Sequence, residues 1–363
     1  MATATPRRSS LTDRLRSERG VSLIHVGIAI FVVMGFSAFV LDHGVMLVAR
    51  GQAQNVADAA AIAAVTTRVK DEPGNANPAV NGITEKVLVK TVESNGIFGG
   101  APTDTGRTWE WGCPAGISGW CVQVSVYRDG TNSSTTLPVY FAPLFGLSSQ
   151  SVRAYAAAVA VEANGTRCMK PWIIPDKWQE NTAPPDEFNP PGDVYIAPSG
   201  NNPGTGYTLA DVGTTVLLKP GNPHQAISSS FYFAIDEPPG SNNSGSVYES
   251  NIANCRITKR IGDTVNTNPG NMIGPTQQGV NTLTANGPVD VVVALFSPTQ
   301  FLAVVTPQGN FDLTIVNMMS VRITGMSGNN VVGVITGGVG EDLGPGPTPT
   351  GTASLIRAIQ LVR

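Results

Sequence analysis

One uninterrupted apolar stretch, Val21 to Leu41, dominates the first part of the chain and contains no Asp, Glu, Lys or Arg. At a rise of about 1.5 Å per residue, a helix of this stretch would be about 31 Å long, which matches the hydrocarbon core of a bilayer. A secretory signal peptide has a shorter apolar region and a small-residue cleavage site, whereas Asp42, His43 and Gly44 follow here. We therefore predict an uncleaved membrane-spanning helix; a buried helix of a soluble domain and a processed form are the alternatives.

The residues before this stretch set its predicted orientation. Within residues 1–20 the basic side chains outnumber the acidic ones, Asp13 and Glu18. The basic residues of this tail are Arg7, Arg8, Arg14, Arg16 and Arg19. Basic residues remain on the cytoplasmic side of a membrane, so the pattern predicts a cytoplasmic tail over 1–20, an anchor over 21–41 and an exported body.

Helical periodicity continues after the anchor. Residues 42–70 contain no proline, and the pattern ends at Asp71, Glu72 and Pro73. The side chains that can share one face of this helix are Val45, Val48, Gln52, Val56, Ala59, Ala60, Ala63 and Val69. A second, short amphipathic helix is predicted over 78–94. The sequence thus predicts one long helix that leaves the membrane and continues outside it.

Beyond these helices the apolar positions alternate with a period of two. Val122, Val124 and Val126 alternate with polar residues, which is typical of a strand with one buried face. The segment RDGTNSS is a predicted turn, and strands are predicted over 136–141 and 151–162. Helices followed by antiparallel strands predict an α+β head over 42–163.

Residues 164–363 contain short apolar runs between clusters of Pro, Gly and Asn. The runs predicted as strands are TTVLLK, SSFYFAI, VDVVVALF, FLAVVT, FDLTIVNMMSVRI and NVVGVIT. Thr276 is the predicted N-cap of a helix, and SLIRAIQLVR is a candidate closing strand. Strands at these intervals predict a mostly-β region, sandwich-like or an irregular barrel.

The four cysteines suit an exported body. Cys113 and Cys121 lie within WGCPAGISGWC, where Pro and Gly can turn the chain back, so a local disulfide is favoured. Cys168 and Cys255 would then pair with each other, although four cysteines allow three connectivities, and free buried thiols are the alternative.

Composition and motifs argue against nucleic-acid binding and catalysis. The net charge is −3, and the basic residues cluster beside the anchor, which leaves the body mildly acidic. No phosphate-binding glycine motif occurs, and His224 lies in a loop without a visible catalytic partner. Asp129 is interpreted as a turn residue rather than a metal ligand, and Trp172 and Trp178 as core residues rather than a sugar platform. We expect the protein to have no enzymatic activity and to bind neither a metal nor a cofactor.

The segment over about residues 17–66 resembles the N-terminal region of TadG-like (TadE/G-like) proteins of the Flp, or tight-adherence, pilus assembly system. In that family Arg-Gly precedes the anchor, Asp-x-Gly follows it, and a helix of the type Gln-Asn-x-Ala-Asp-Ala-Ala-Ala comes next. The matching residues here are Arg19, Gly20, Asp42, Gly44, Gln54, Asn55, Ala57, Asp58, Ala59, Ala60 and Ala61.

The resemblance implies a membrane-anchored, non-enzymatic accessory or minor-pilin-like component of a bacterial cell envelope. It implies an inner-membrane anchor, a pilin-like head over 42–163, a periplasmic or extracellular body, and other pilus assembly proteins as partners. Processed pilins carry Glu five residues after the cleaved Gly, whereas His25 occupies that position relative to Gly20. This departure argues against cleavage and polymerisation. The alternative function is an anchored surface adhesin or carbohydrate-binding module.

Overall fold

The computed structural model describes residues 18–73, 78–183, 186–199, 202–222, 225–238, 244–304 and 310–362. The chain divides into two compact units. The first unit comprises Met1–Val56, Val92–Thr108 and Ser125–Ala154, and the second comprises Ala57–Thr91, Trp109–Val124 and Tyr155–Arg363. A long N-terminal helix and a mostly-β remainder confirm the α+β fold class.

The helices are α1 (Glu18–Asp71), α2 (Ile83–Glu93), α3 (Gly245–Ala253), α4 (Ile273–Leu283) and α5 (Pro298–Val304). The longest, α1, includes the apolar stretch and the alanine-rich segment after it, as the sequence predicted. Strong helix formers and the absence of proline sustain it, and Pro73 follows its end.

The buried face of α1 agrees with the predicted one only in part, at Val56, Ala60 and Val69. Its buried residues are Ala38, Asp42, Ala49, Ala53, Val56, Ala57, Ala60, Ala61, Ala64, Val65, Arg68 and Val69. Val48 and Ala59, both predicted to lie on this face, are exposed. Alanine side chains let a helix approach another surface closely, so the face with more alanines is the buried one.

The strands are β1 (Gly106–Glu110), β2 (Trp120–Arg128), β3 (Val152–Glu162), β4 (Gly165–Pro175), β5 (Thr215–Pro220), β6 (Phe231–Ala234), β7 (Ile257–Arg260), β8 (Thr264–Asn266), β9 (Val289–Phe296), β10 (Asp312–Ser327), β11 (Asn330–Thr336), β12 (Gly338–Val339) and β13 (Ile356–Val362). They form a five-stranded sheet of order β1-β2-β3-β13-β12 and an eight-stranded sheet. The second sheet has the order β11-β5-β6-β4-β9-β10-β8, with β7 beside β4.

Six strands of the eight-stranded sheet form a closed hydrogen-bonded circuit, because β10 also pairs with β11. The pairs β4–β9 and β5–β6 are parallel, and the other four pairs of the circuit are antiparallel. The 16-residue strand β10 allows this closure, since its central part pairs with β9 and its end with β11 across a bulge between Ile323 and Gly325.

Both faces of this sheet are buried. Along β9, Val291, Val293 and Leu295 belong to one hydrophobic cluster, and Val292, Ala294 and Phe296 belong to another. The first cluster also contains Trp172, Tyr232 and Tyr248, together with residues of α3 and α4. Burial on both faces explains why residues 291–296 of the run VDVVVALF are all apolar rather than alternating with polar ones.

Two predicted elements of the second unit take a different form. Residues 298–304, which include most of the run FLAVVT, form the helix α5, because Pro298 directly after Ser297 favours the first turn of a helix. Helix α4 begins at Ile273, so Thr276 is an interior residue rather than the N-cap. Its buried hydroxyl is within 3.2 Å of the hydroxyls of Tyr232 and Tyr248.

The structure pairs Cys113 with Cys121 and Cys168 with Cys255, which is the connectivity that the sequence favoured. Their Cα atoms are 4.8 Å and 4.4 Å apart. The described part of the chain contains no free cysteine. The bridges close loops of very different length, with sequence separations of 8 and 87 residues.

In the first unit, Arg128 organises the segment after β2. Its buried guanidinium donates to the carbonyl of Ile97 at 2.8 Å, the hydroxyl of Thr135 at 2.6 Å and the carbonyl of Thr136 at 2.9 Å.

The predicted strand over 136–141 is wrong, because only Leu137 forms a β-bridge, with Gln150. Pro138 has no N–H to donate, and the N–H groups of Tyr140 and Phe141 bond to a side chain instead.

Candidate functional site

Helix α1 contains a segment that is long and apolar enough to cross a membrane, and it is the single such helix in the described part of the chain. The large side chains from Leu23 to Leu41 are exposed around the whole circumference. Exposure on every side is what a helix surrounded by lipid requires, whereas the core helix of a soluble domain would be largely covered.

The site with the most distinctive geometry lies where this apolar segment ends. Asp42 is only 5% exposed, and its carboxylate accepts three backbone hydrogen bonds. Oδ1 accepts from the N–H of Tyr140 at 2.9 Å, and Oδ2 accepts from Phe141 at 3.0 Å and from Ala142 at 2.6 Å. We call this arrangement the Asp42 clasp. It joins the end of the apolar segment to a loop about 100 residues later in the sequence.

Local sequence explains why the loop presents three N–H groups together. A short 3₁₀ helix runs over Ala142–Phe145, with Pro143 in its first turn and Gly146 in the left-handed conformation after it. The first N–H groups of a helix have no partner within the helix. Phe141, at the N-cap, cannot supply an acceptor from its side chain, so Asp42 supplies it from α1.

The clasp holds the carboxylate in its ionised form. The N–H of Tyr140 contributes most to lowering the pKa of Asp42, those of Phe141 and Ala142 add to it, and burial opposes them. Because the folded pKa lies below the unfolded one, the clasp stabilises the unit fully at neutral pH. This contribution is lost as the pH falls through the lowered pKa.

A groove of about 350 Å³ lies beside the clasp. The residues that line it are Ala38, Phe39, Asp42, His43, Met46, Phe141, Ala142, Leu147 and Gln150. Most of these side chains are apolar, and the polar atoms of Asp42 are already bonded to the loop. Tyr140 and Leu147 on the same loop are each 61% exposed. The loop therefore adds a second apolar surface beside the end of α1.

Replacing Asp42 tests the clasp directly. Asp42→Asn would place an NH₂ group against backbone donors, and we expect amide exchange at Tyr140, Phe141 and Ala142 to become at least about tenfold faster. Hydrogen exchange of the full chain in detergent micelles measures this change. Asp104→Asn is the matched control, since Asp104 accepts from the N–H of Ala101 in another loop of the same unit. Unchanged exchange in Asp42→Asn would show that the clasp does not hold the loop.

The predicted motif residues do not all meet at this site. Gly20, Asp42, Gly44, Gln54, Asn55 and Asp58 all lie on α1. A side chain at Gly44 would meet nothing within 4 Å, so close packing does not require this glycine. Gln54, Asn55 and Asp58 lie about 18 Å or more along the helix from Asp42. Only Asp42 takes part in the clasp.

The other sequence candidates lie apart from the clasp. Asp129 accepts from the N–H and hydroxyl of Thr131, the hydroxyl of Ser134 and the guanidinium of Arg153, in a turn. The hydroxyl of Thr131 contributes most to lowering its pKa to about 2. Trp172 and Trp178 are buried, and Trp172 donates its indole N–H to the Tyr248 hydroxyl at 2.8 Å. His224 lies outside the described residues.

In the second unit, charged residues hold the C-terminal end of α1. Lys70 Nζ is 3.0 Å from Asp290, and Arg322 Nε donates to the other Asp290 oxygen at 2.8 Å. Arg322 also lies 3.4 Å from Asp71. Burial opposes ionisation of Asp290, but Arg322 and Lys70 outweigh it and lower its pKa. This network fastens the helix to strands β9 and β10.

Sequence reasoning missed the loop of the clasp. It interpreted residues 136–141 as a strand and did not connect Asp42 with them. One signal was available, because no charged residue occurs between Asp129 and Arg153 while apolar and aromatic side chains are frequent there. An uncharged apolar loop between two charged segments indicates a surface that something covers.

Comparison with known proteins gives a family match for the segment of α1 that contains Asp42. Residues 22–67 match the Tad family, described as Flp pilus-assembly TadE/G-like. The matched range contains Asp42, Gly44, Gln54, Asn55 and Asp58, and this confirms the resemblance seen in the sequence. Comparisons with curated proteins and with solved structures gave no match.

Proposed function

We propose that this chain is a single-pass, non-enzymatic accessory or minor-pilin-like component of a Flp (Tad) pilus assembly system. The observation that carries the proposal is the coincidence of two features on one helix. The TadE/G-like match covers residues 22–67, and the same helix exposes apolar side chains on every side from Leu23 to Leu41. A pilus assembly function therefore comes with a membrane anchor in the same segment.

The charge pattern supports an inner-membrane anchor with a cytoplasmic N-terminus. The arginines of residues 1–20 precede the anchor, and the mildly acidic remainder follows it. The two disulfides suit an oxidising compartment outside the cytoplasm, because cytoplasmic thiols are kept reduced. Both arguments favour a periplasmic or extracellular body.

The chemistry of the body favours protein contacts over catalysis. The buried carboxylates of Asp42, Asp176 and Asp193 each accept backbone hydrogen bonds that hold loops in place. Large side chains such as Trp172 and Phe296 fill the cores of the second unit. We infer that the body is disulfide-stabilised and contacts other assembly components at the membrane.

Deletion of the coding sequence tests this function. We expect surface pili, counted by electron microscopy, and surface adherence to fall strongly, and the full-length chain to restore both. Two variants of the anchor refine the test. Ile30→Leu keeps an apolar helix and should restore pili. Ile30→Lys places a charge at the bilayer centre, which disfavours membrane insertion by about 3 kcal/mol, and this variant should not restore pili.

Normal pili and normal adherence in the deletion strain would refute the proposed function. Equal rescue by Ile30→Lys and Ile30→Leu would refute the anchoring part, provided that immunoblots show equal amounts of both variants. Flotation of the membranes in a density gradient shows where each variant is located.

A further inference from the structure

We propose that the loop Tyr140–Leu147 is a second membrane contact. The loop lies at the level of the lipid headgroups on the exported side, and the groove beside α1 binds a lipid acyl chain. This inference rests on the proposed membrane anchoring and adds to it. The anchor accounts for α1 alone, whereas the loop belongs to the exported body. The geometry of the first unit carries the inference in three steps.

The depth of the loop follows from the clasp. Asp42 comes directly after Leu41, the last residue of the apolar stretch, and its carboxylate bonds to the backbone of Tyr140, Phe141 and Ala142. These hydrogen bonds fix the loop at the level where α1 leaves the hydrocarbon. The groove extends along α1 from Ala38 to Met46, about 12 Å, so part of it lies beside the apolar stretch itself.

The chemistry of the loop matches the membrane interface. Tyr140 and Leu147 are each 61% exposed, and Phe141 is also exposed. Aromatic rings are enriched at the level of lipid headgroups, where a ring can contact acyl chains while a hydroxyl reaches water. No charged side chain occurs between Asp129 and Arg153 to oppose this position. Asp42 does not oppose it either, because its oxygens already accept three hydrogen bonds.

Continuity of the surface selects lipid as the occupant. Phe39 lines the groove and is also one of the exposed apolar side chains of the anchor. Lipid that surrounds Phe39 therefore reaches the groove without crossing a polar boundary. The exposed Ser148 and Ser149 follow the loop and supply polar groups that can face headgroups or water. A protein partner would have to displace this lipid, so we commit to the bilayer.

Fluorescent labels at single cysteines test the position of the loop in the full chain. The native cysteines are all paired, so a cysteine introduced at an exposed site is the one that reacts. We would prepare Tyr140→Cys and Leu147→Cys, label each with an environment-sensitive NBD group, and reconstitute the protein into phosphatidylcholine–phosphatidylglycerol vesicles. Some vesicles would contain lipids with a shallow nitroxide, near the top of the acyl chain, and others lipids with a deep nitroxide, near its end. Each nitroxide quenches NBD at short range.

Two further labelled variants make the result interpretable. Phe31→Cys lies in the middle of the anchor and reports whether the chain spans the bilayer. Val80→Cys, 84% exposed in the second unit, reports an aqueous position. Protease resistance and the intact native disulfides show that each variant is folded.

We expect labels at residues 140 and 147 to be quenched several-fold more strongly than the label at residue 80, with blue-shifted emission. Quenching equal to that at residue 80 would overturn the inference, because the loop would then lie in water. Blue-shifted emission without nitroxide quenching would also overturn it, because a second copy of the chain would then cover the loop. Absence of nitroxide quenching at residue 31, by shallow or deep nitroxides, would instead contradict the anchor and hence the proposed function.

Discussion

Replacing both Cys168 and Cys255 by serine is expected to lower the free energy of unfolding of the second unit by about 4.6 kcal/mol. The bridge joins residues separated by 87 positions, and closing so long a loop removes much entropy from the unfolded chain. Cys168 is half-buried and Cys255 is exposed, so the substitution removes little packing. Urea denaturation of the full chain in micelles, followed by tryptophan fluorescence, measures the loss.

The short bridge is the matched control. Replacing Cys113 and Cys121 by serine opens a loop with a separation of only 8 residues, for which the same relation gives about 2.6 kcal/mol. Cys121 is buried, so some packing is lost as well. A loss for the long bridge that is no larger than for the short one would contradict the loop-length argument.

Replacing Asp176 by asparagine is expected to raise the free energy of unfolding at pH 7 by about 3 kcal/mol. Asp176 is fully buried in the second unit. Its Oδ1 accepts from the N–H groups of Lys177 and Tyr207, both at 2.9 Å, and its Oδ2 accepts from the Tyr195 hydroxyl at 3.1 Å. Asparagine can keep this geometry, with Oδ1 toward the two amides and its NH₂ toward the tyrosine oxygen.

Burial is the main reason that the pKa of Asp176 is raised to about 6, and the negative charge of Asp211 adds to it. The three hydrogen bonds oppose this shift. Because the folded pKa exceeds the unfolded one, the folded state binds more protons between about pH 4 and pH 6. Stability therefore falls as the pH rises through this window, and Asp176→Asn should remove that dependence. Denaturation of both proteins at pH 4.5 and pH 7.5, values chosen on either side of the window, measures it.

Asp193 provides a control with the opposite sign. Burial alone would raise its pKa, but the N–H groups of Asn181, Asn189 and Thr182 and the Thr182 hydroxyl outweigh burial and lower it. Its ionised form stabilises the fold at neutral pH, so Asp193→Asn should lower stability at pH 7. If Asp176→Asn and Asp193→Asn both lower the free energy of unfolding at pH 7, then ionisation of Asp176 does not destabilise the folded state.

These loop carboxylates and the Asp42 clasp share one structural principle. In each case an aspartate accepts hydrogen bonds from backbone N–H groups that have no partner in a helix or sheet. Asp193 holds a loop close to it in sequence, whereas Asp42 holds a loop that is distant in sequence and close in space. A body with many Pro- and Gly-rich loops depends on such hydrogen bonds, because the backbone hydrogen bonds of helices and sheets do not order these loops.

Local patterns in the sequence determined the long helix α1, most strands and the favoured cysteine pairs. Residues 21–41 predicted an apolar helix from length and composition, which depend on no distant residue. The alternation at Val122, Val124 and Val126 predicted β2, because a strand with one buried face needs a period of two. The motif after the anchor predicted the TadE/G-like segment that the family comparison confirms over residues 22–67.

Long-range contacts decided the rest. The sequence could not show that β10 pairs with both β9 and β11 and so closes a circuit of strands, because register depends on the partner strands. It predicted a strand at residues 136–141, but the N–H groups of Tyr140 and Phe141 bond to Asp42 instead. Asp42 was recognised as part of a motif from its neighbours, but its role as an acceptor exists only where folding brings the loop to it. Such a role depends on the positions of backbone donors in space, which local sequence does not encode.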